Sequence, residues 1–199
     1  MIRAVVVDFG GVIALEPTTE AIDRLCACCG LDPGGFVERW YEHRLRYDCG
    51  ELTAAEYWRL TGVAGESRLD EVLVADADAW ARCDPALVAW LGALRRSGVR
   101  TALLSNMPRE QWHGLAPRFG EWLPYLDEVT LSFELGTAKP DVRIYRHCLE
   151  RLGVEPEEAL FVDDRAENVA AARALGMHAV QYTGVDDLRS RLPESLPLP

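Results

Sequence analysis

Ala4-Val5-Val6-Val7-Asp8-Phe9-Gly10-Gly11 is an apolar run that ends in a carboxylate, an aromatic residue and a pair of glycines. Consecutive small and β-branched residues without polar alternation read as a short strand buried on both faces, as in a parallel sheet covered by helices. Asp8 then lies at the carboxyl end of that strand, the edge where open α/β sheets bind their ligands. The two glycines let backbone N–H groups come close to such a ligand. Taken alone, Asp8 serves equally well as the cap of the next turn. The rest of the chain has to decide between the two.

With 199 residues, 49% of them hydrophobic, the chain fits one ordinary domain or a core with a modest insertion. No stretch approaches the roughly 18 consecutive apolar residues of a membrane span. The N-terminus enters a strand directly, without the basic and apolar regions of a signal peptide, so a cytoplasmic protein is expected. A net charge of -11 argues against nucleic acid and anionic membranes as partners, because neutralising phosphates takes clustered Lys and Arg. The six cysteines, Cys26, Cys28, Cys29, Cys49, Cys83 and Cys148, include no pair of CxxC motifs to frame a zinc site, and are expected to be reduced and structural.

From 16 to 84 the pattern is helical. Apolar residues recur at helical spacing in Ala21-Ile22-Leu25 and Phe36-Val37-Trp40-Tyr41, Asp32-Pro33 marks a helix start, and Thr53-Ala54-Ala55-Glu56 matches a capping box. A further helix is expected from Ser67 through Trp80. From Asp84-Pro85 onward helices and strands alternate. Helices are expected at 86–96, 142–152 and 166–175, with strands at 99–104, 128–132, 159–162 and 178–182. This order predicts a mostly parallel sheet with helices on both faces, interrupted after its first strand by a small helical insertion. The Pro-rich tail 192–199 is expected to be loose. The tryptophans Trp40, Trp58, Trp80 and Trp90 are expected in the core.

Three strands end in polar residues: the first in Asp8, the second in Ser105-Asn106, a later one in Asp163-Asp164. Between them falls Gly136-Thr137-Ala138-Lys139-Pro140-Asp141, where Pro140 confines Lys139 to extended or turn geometry just before a helix. In a parallel sheet all of these meet at one edge. Three carboxylates there repel one another unless a cation joins them, and such hard oxygen donors suit Mg²⁺. An ionised Asp8 is able to attack phosphorus, while Lys139 and the metal offset charge on the phosphoryl oxygens and Ser105, Asn106 and backbone donors bind them. Each residue has a plainer role in isolation, Lys139 as a solvated lysine and Asp163-Asp164 as helix caps. Their order along the chain favours the joint role.

The order and spacing of Val7-Asp8-Phe9-Gly10-Gly11-Val12, Leu103-Leu104-Ser105-Asn106, Gly136-Thr137-Ala138-Lys139-Pro140-Asp141 and Phe161-Val162-Asp163-Asp164-Arg165-Ala166-Glu167-Asn168-Val169 resemble the four motifs of the haloacid dehalogenase superfamily. The resemblance implies a Rossmann-like α/β core from 1–15 and 85–199 and a helical cap from 16–84 that closes over the site and selects the substrate. It implies Asp8 as nucleophile and Ser105 and Lys139 as catalytic residues. Ser105, Asn106, Lys139 and Gly11 would hold the phosphoryl group. Asp8, the Gly10 backbone carbonyl, Asp163 and Asp164 would hold Mg²⁺, with Asn168 bracing the site. The substrate class it implies is a small phosphorylated metabolite.

The chain departs from the pattern at Gly10, where phosphatases of the family carry a second aspartate as general acid and base. That help is worth roughly 10²- to 10⁴-fold. Three functions therefore stand side by side: a Mg²⁺-dependent phosphatase, a non-catalytic or regulatory binding protein of the same fold, and a metal-independent haloacid dehalogenase. His43, Arg44 and Arg46 fall in the cap and are candidates to contact a substrate, although each taken alone reads as an exposed helix residue.

Overall fold

The computed structural model describes residues 1–194, Leu196 and Pro197. Five strands, β1 (Ala4–Val7), β2 (Arg100–Ser105), β3 (Glu128–Leu131), β4 (Ala159–Asp163) and β5 (His178–Gln181), form one parallel sheet in the order β3-β2-β1-β4-β5. Helices occupy both of its faces, as a Rossmann-like α/β sheet requires. Val7 pairs with Leu103 on one side and Val162 on the other, and the Asp8 N–H donates to the Val162 carbonyl at 2.9 Å. Asp8 is thereby level with Asp163 on the neighbouring strand.

Alternation along β1 divides the core in two. Val5 and Val7, with Leu103, Leu160 and Val162, face α6 (Pro85–Arg96), α7 (Arg109–Leu115) and α11 (Val185–Arg191). Ala4 and Val6, with Ala102, Leu104 and Phe161, face α9 (Val142–Leu152) and α10 (Ala166–Ala174). A short α8 (Ser132–Leu135) follows β3 directly. Because β1 is covered on both sides, its run is apolar throughout, and the first uncovered position is Asp8.

Between β1 and α6 the chain forms five helices, α1 (Thr19–Cys29), α2 (Phe36–Glu42), α3 (Arg44–Asp48), α4 (Ala54–Thr61) and α5 (Leu69–Ala79). They enclose a separate apolar cluster that includes Leu25, Phe36, Trp40, Tyr47, Tyr57, Trp58 and Val72. The Thr53–Glu56 capping box is formed: the Glu56 N–H donates to Thr53 Oγ1 at 3.3 Å and the Thr53 N–H to Glu56 Oε2 at 2.9 Å. Asp32-Pro33 does not open α2. Asp32 Oδ1 accepts the Gly34 N–H at 2.8 Å in a local turn, and the left-handed Gly35 delays the helix to Phe36. The helix expected from Ser67 begins as a 3₁₀ turn and becomes α5 at Leu69. All six cysteines are free, and burial pushes the Cys29 thiol up to about 12.

Three helices outside the helical insertion carried no readable sequence signal. α7 is short and contains Gly114, α8 is a single turn that begins at Ser132, where a strand was expected, and α11 lies beyond the last motif. The tail also differs from expectation, since Leu196 is buried and the Trp90 indole N–H donates to the Pro197 carbonyl at 2.7 Å. Those contacts dock it on α6; Ser195, Leu198 and Pro199 lie outside the described residues. Trp40, Trp58 and Trp90 are core residues, whereas Trp80 is only half-buried. No helix among the described residues is long and apolar enough to cross a membrane.

Candidate active site

The strand ends open into a cavity of about 590 Å³, floored by Asp8, Ser105, Asn106, Lys139, Asp164 and Asn168 and roofed by Tyr41, Arg44, Leu45, Asp48 and Trp80. Lys139 sits at its charge centre. Its Nζ lies 2.6 Å from Asp8 Oδ1 and 2.7 Å from Asp163 Oδ2, with all three side chains buried. Burial alone would lower the Lys139 ammonium, but Asp8 and Asp163 outweigh it and hold the pKa above the ordinary lysine value. Lys139 is a charged group clamped by two carboxylates.

Asp8 is the contested partner. Burial pushes its carboxyl up to about 7, aided by Asp163, while Lys139 and the Phe9 N–H at 2.7 Å pull the other way. Asp164 is raised as well, by burial and then by Asp163. Carboxylate oxygens of Asp8, Asp163 and Asp164 lie within 4.8 Å of one another. One ammonium does not balance three carboxylates, and a divalent cation among these hard donors supplies the missing charge. The residues present therefore fit Mg²⁺. Their contributions are unequal, because Asp163 already accepts from Lys139, from the Arg165 N–H at 2.8 Å and from Asn168 Nδ2 at 3.0 and 3.1 Å. Asp163 is anchored by the protein, and Asp164 is the more open carboxylate.

The remaining expected residues are placed as follows. Asn168, on the first turn of α10, braces Asp163 through the bonds just described, and its own carbonyl accepts from the Tyr145 hydroxyl at 3.1 Å. Ser105 ends β2 buried and lines the cavity. Asn106 also lines it, but its carboxamide is engaged: Nδ2 donates to the Lys139 carbonyl at 3.0 Å and Oδ1 accepts the Lys139 N–H at 2.8 Å. It holds the loop carrying Lys139, whose peptide bond to Pro140 is cis, with its oxygen and one of its two amide N–H donors. The N–H of Gly11, expected to face a ligand, donates instead to the Ala14 carbonyl at 2.9 Å. Glycine is required there for another reason. Its φ is 71°, and a Cβ would lie 3.0 Å from the Asp164 carboxyl carbon.

Gly10 lines the cavity and faces Trp80, whose Cζ3 would stand 3.1 Å from a Cβ at position 10. The missing aspartate side chain is replaced by an indole from the end of α5.

Of the three cap candidates, only Arg44 lines the cavity. His43 Nε2 is 3.9 Å from Glu42, and Arg46 pairs with Glu51 at 3.3 Å on the surface. Arg44 is bound within the protein: Nε donates to Asp48 Oδ1 at 2.7 Å, Nη2 to Gln111 Oε1 at 2.5 Å, and Nη1 is 3.8 Å from Asp76 Oδ1. Asp76 also accepts from Trp40 Nε1 and Gln111 Nε2, each at 3.1 Å. Since Gln111 lies on α7, this buried cluster ties the helical unit to the sheet domain. Ser132 adds a second tie, donating to the Asp48 carbonyl at 2.5 Å and accepting the Met107 N–H at 2.9 Å. None of these ties was readable in advance, because each member looks like an ordinary surface residue of its own helix.

The cluster has a measurable signature. Burial raises the Asp76 carboxyl to about 6, against the pull of Arg44 and the Trp40 N–H. In the unfolded chain it titrates near an ordinary value of about 4. Between those values the folded protein holds the proton more tightly, so this contribution to stability is full below about pH 4 and is lost as the pH rises through about 6. The stability of the wild type relative to Asp76→Asn should fall by on the order of 3 kcal/mol between pH 4 and pH 7. Denaturant midpoints of the two proteins across that range provide the check, and a constant difference would refute it.

A sequence model of the haloacid dehalogenase-like hydrolases matches residues 2–176. The chain is 30% identical to (S)-2-haloacid dehalogenase 1 of a Pseudomonas species, over 93% of this chain and 86% of that one. It is 28% identical to D-ribitol-5-phosphate phosphatase of Bacteroides thetaiotaomicron, over 96% and 97%. Two other relatives are longer, and the chain spans 19% and 36% of their length. In structure it superimposes, with a TM-score of 0.72 and 22% identity over 91% of this chain and 94% of that one, on a family enzyme from Bacteroides thetaiotaomicron in complex with magnesium and inorganic phosphate.

Proposed function

The chain belongs to the haloacid dehalogenase-like hydrolases, and on that premise we propose that it is a Mg²⁺-dependent phosphatase acting on a small phosphorylated metabolite through an aspartyl-phosphate on Asp8. The observation that carries this reading is the cluster at the strand ends of buried Asp8 and Asp163, both held by one lysine, with half-buried Asp164 beside them. A carbon-attacking hydrolase has no electrostatic need for three carboxylates. A phosphatase does, because they gather a cation that neutralises a dianionic phosphoryl group.

Asp8, the Gly10 carbonyl, Asp163 and Asp164 would hold Mg²⁺, which when bound keeps Asp8 ionised and offsets charge on the phosphoryl oxygens. Asp8 Oδ attacks phosphorus and the bond to the leaving oxygen breaks with its electron pair. Lys139 stabilises the phosphoryl oxygens from the opposite side, and the Ser105 hydroxyl donates to one of them. Water then attacks phosphorus, releasing inorganic phosphate and restoring the Asp8 carboxylate. With glycine at position 10, the proton for the leaving oxygen comes from solvent.

Two other readings stay in view. Gly10 and the dehalogenase relative favour attack on a haloacid carbon, and the missing acid favours a binding protein without turnover. A panel of phosphate monoesters and 2-haloacids, assayed with Mg²⁺ and with EDTA, separates the three. The expected outcome is phosphate release that stops in EDTA. Haloacid turnover surviving EDTA would replace the phosphatase reading with the dehalogenase, and Mg²⁺-dependent binding without turnover would replace it with the binding protein.

A further inference from the structure

The roof of the cavity bears on which alcohol leaves. Its charged members are engaged with one another: Arg44 is held by Asp48, Gln111 and Asp76, and Asp48 is held by Arg44. Arg165, at the floor, is turned to Glu167 at 2.6 Å. Glu16, beside Gly11 at the start of the helical unit, adds a carboxyl that repels anions. Among the described residues, the one cation of the roof, Arg44, is thus already committed within the protein.

The apolar members are uncovered. Tyr41 and Leu45 stand one helical turn apart across the junction of α2 and α3, are 47% and 56% exposed, and both line the cavity. Large apolar side chains left open to water at a cavity rim lose stability that an apolar ligand restores. Trp80, half-buried, extends this surface inward, with its six-membered ring against Gly10. Tyr41, Leu45 and Trp80 are thus the large apolar surfaces of the cavity on the side of the helical unit.

Resting on the phosphatase reading, we propose that the substrate is the monophosphate ester of an uncharged, apolar alcohol, seated on Tyr41, Leu45 and Trp80. Apolar contact made only by the alcohol is worth about three- to fourfold in binding for each methylene buried.

The test uses n-alkyl phosphates from ethyl to hexyl, whose leaving oxygens are of similar basicity, beside glycerol phosphate and phosphoglycolate, all with saturating Mg²⁺. The expected result is a kcat/KM that climbs about threefold per methylene, with hexyl phosphate far above the polar and doubly anionic esters. In Tyr41→Asn and Leu45→Asn the climb should flatten, a readout that general damage to the fold would not move, and both side chains are exposed enough to be replaced without loss of the core. A flat or falling series, a preference for glycerol phosphate or phosphoglycolate, or an undiminished slope in both variants overturns this proposal and leaves the phosphatase reading standing. Absence of Mg²⁺-dependent phosphate release from every ester overturns both.

Discussion

Asp8→Asn is expected to lose Mg²⁺-dependent turnover by on the order of 10⁴- to 10⁶-fold, the scale on which removal of a covalent nucleophile acts. The amide keeps the shape of the carboxylate and lacks the charge that attacks phosphorus. It also leaves Lys139 its second partner, Asp163, at 2.7 Å. The fold should not suffer. Burial pushes the Asp8 carboxyl up to about 7, so above that pH the ionised group costs the metal-free protein stability that a neutral amide does not. The variant should therefore melt at or above the wild-type temperature at pH 8 without metal. Burst-free kinetics with an intact melting transition would confirm the nucleophile, whereas residual turnover within tenfold of wild type would reject it. A low activity accompanied by a lowered melting temperature would show that Asp8 serves the fold, and would remove the argument from its strained ionisation.

The second large effect concerns Gly10 and Trp80 together. Adding the absent acid by Gly10→Asp alone is expected to give no gain in kcat, because the new Cβ would stand 3.1 Å from Trp80 Cζ3, closer than side chains ordinarily pack, so that the indole must shift before the acid is placed. Gly10 is not among the residues with positive φ, so the obstacle is contact and not backbone strain. Gly10→Asp combined with Trp80→Leu opens the space. The double variant should raise kcat by about tenfold to a hundredfold over Trp80→Leu alone, the lower part of what a placed general acid contributes. It should also reduce the dependence of rate on the acidity of the leaving alcohol, which a protein without a proton donor shows strongly. A rise in kcat from Gly10→Asp with Trp80 intact would disprove the steric account. The two sites couple because they touch, so the cycle of four proteins measures the coupling directly.

These predictions draw on different levels of information. The proposed nucleophile was legible as a candidate because a strand buried on both faces has to be apolar, and the first carboxylate after it stands out at Asp8. The same logic marked Ser105 and Asp163-Asp164, and Pro140 marked the turn at Lys139. The bracing by Asn168 came through family resemblance. By contrast, the further bonds of Asn106 and Gly11 were not legible. Both stand in the right motif, yet the Asn106 amide holds the Lys139 backbone and the Gly11 N–H closes a turn onto Ala14. A motif shows that a residue belongs to the site and is silent on which of its atoms are already bonded.

The cap residues were the least legible. His43, Arg44 and Arg46 are equivalent as basic residues on a polar helical stretch, and only folding brings Arg44 against Asp76 and Gln111, in two other helices. Trp80 reads as core by composition and becomes the wall facing Gly10.

From the chain alone, then, came the order of strands and helices, the edge on which ligands bind and the set of acidic, hydroxyl and basic residues gathered there. All of that is carried by local patterns, since burial on both faces, turn residues and strand ends are properties of short segments. Tertiary structure alone decided that an indole fills the place of the second aspartate, that Arg44 is neutralised within the protein and that Tyr41 and Leu45 face the cavity. Those outcomes are contacts between segments far apart in the chain, where the identity of one partner says nothing about the other until packing brings them together.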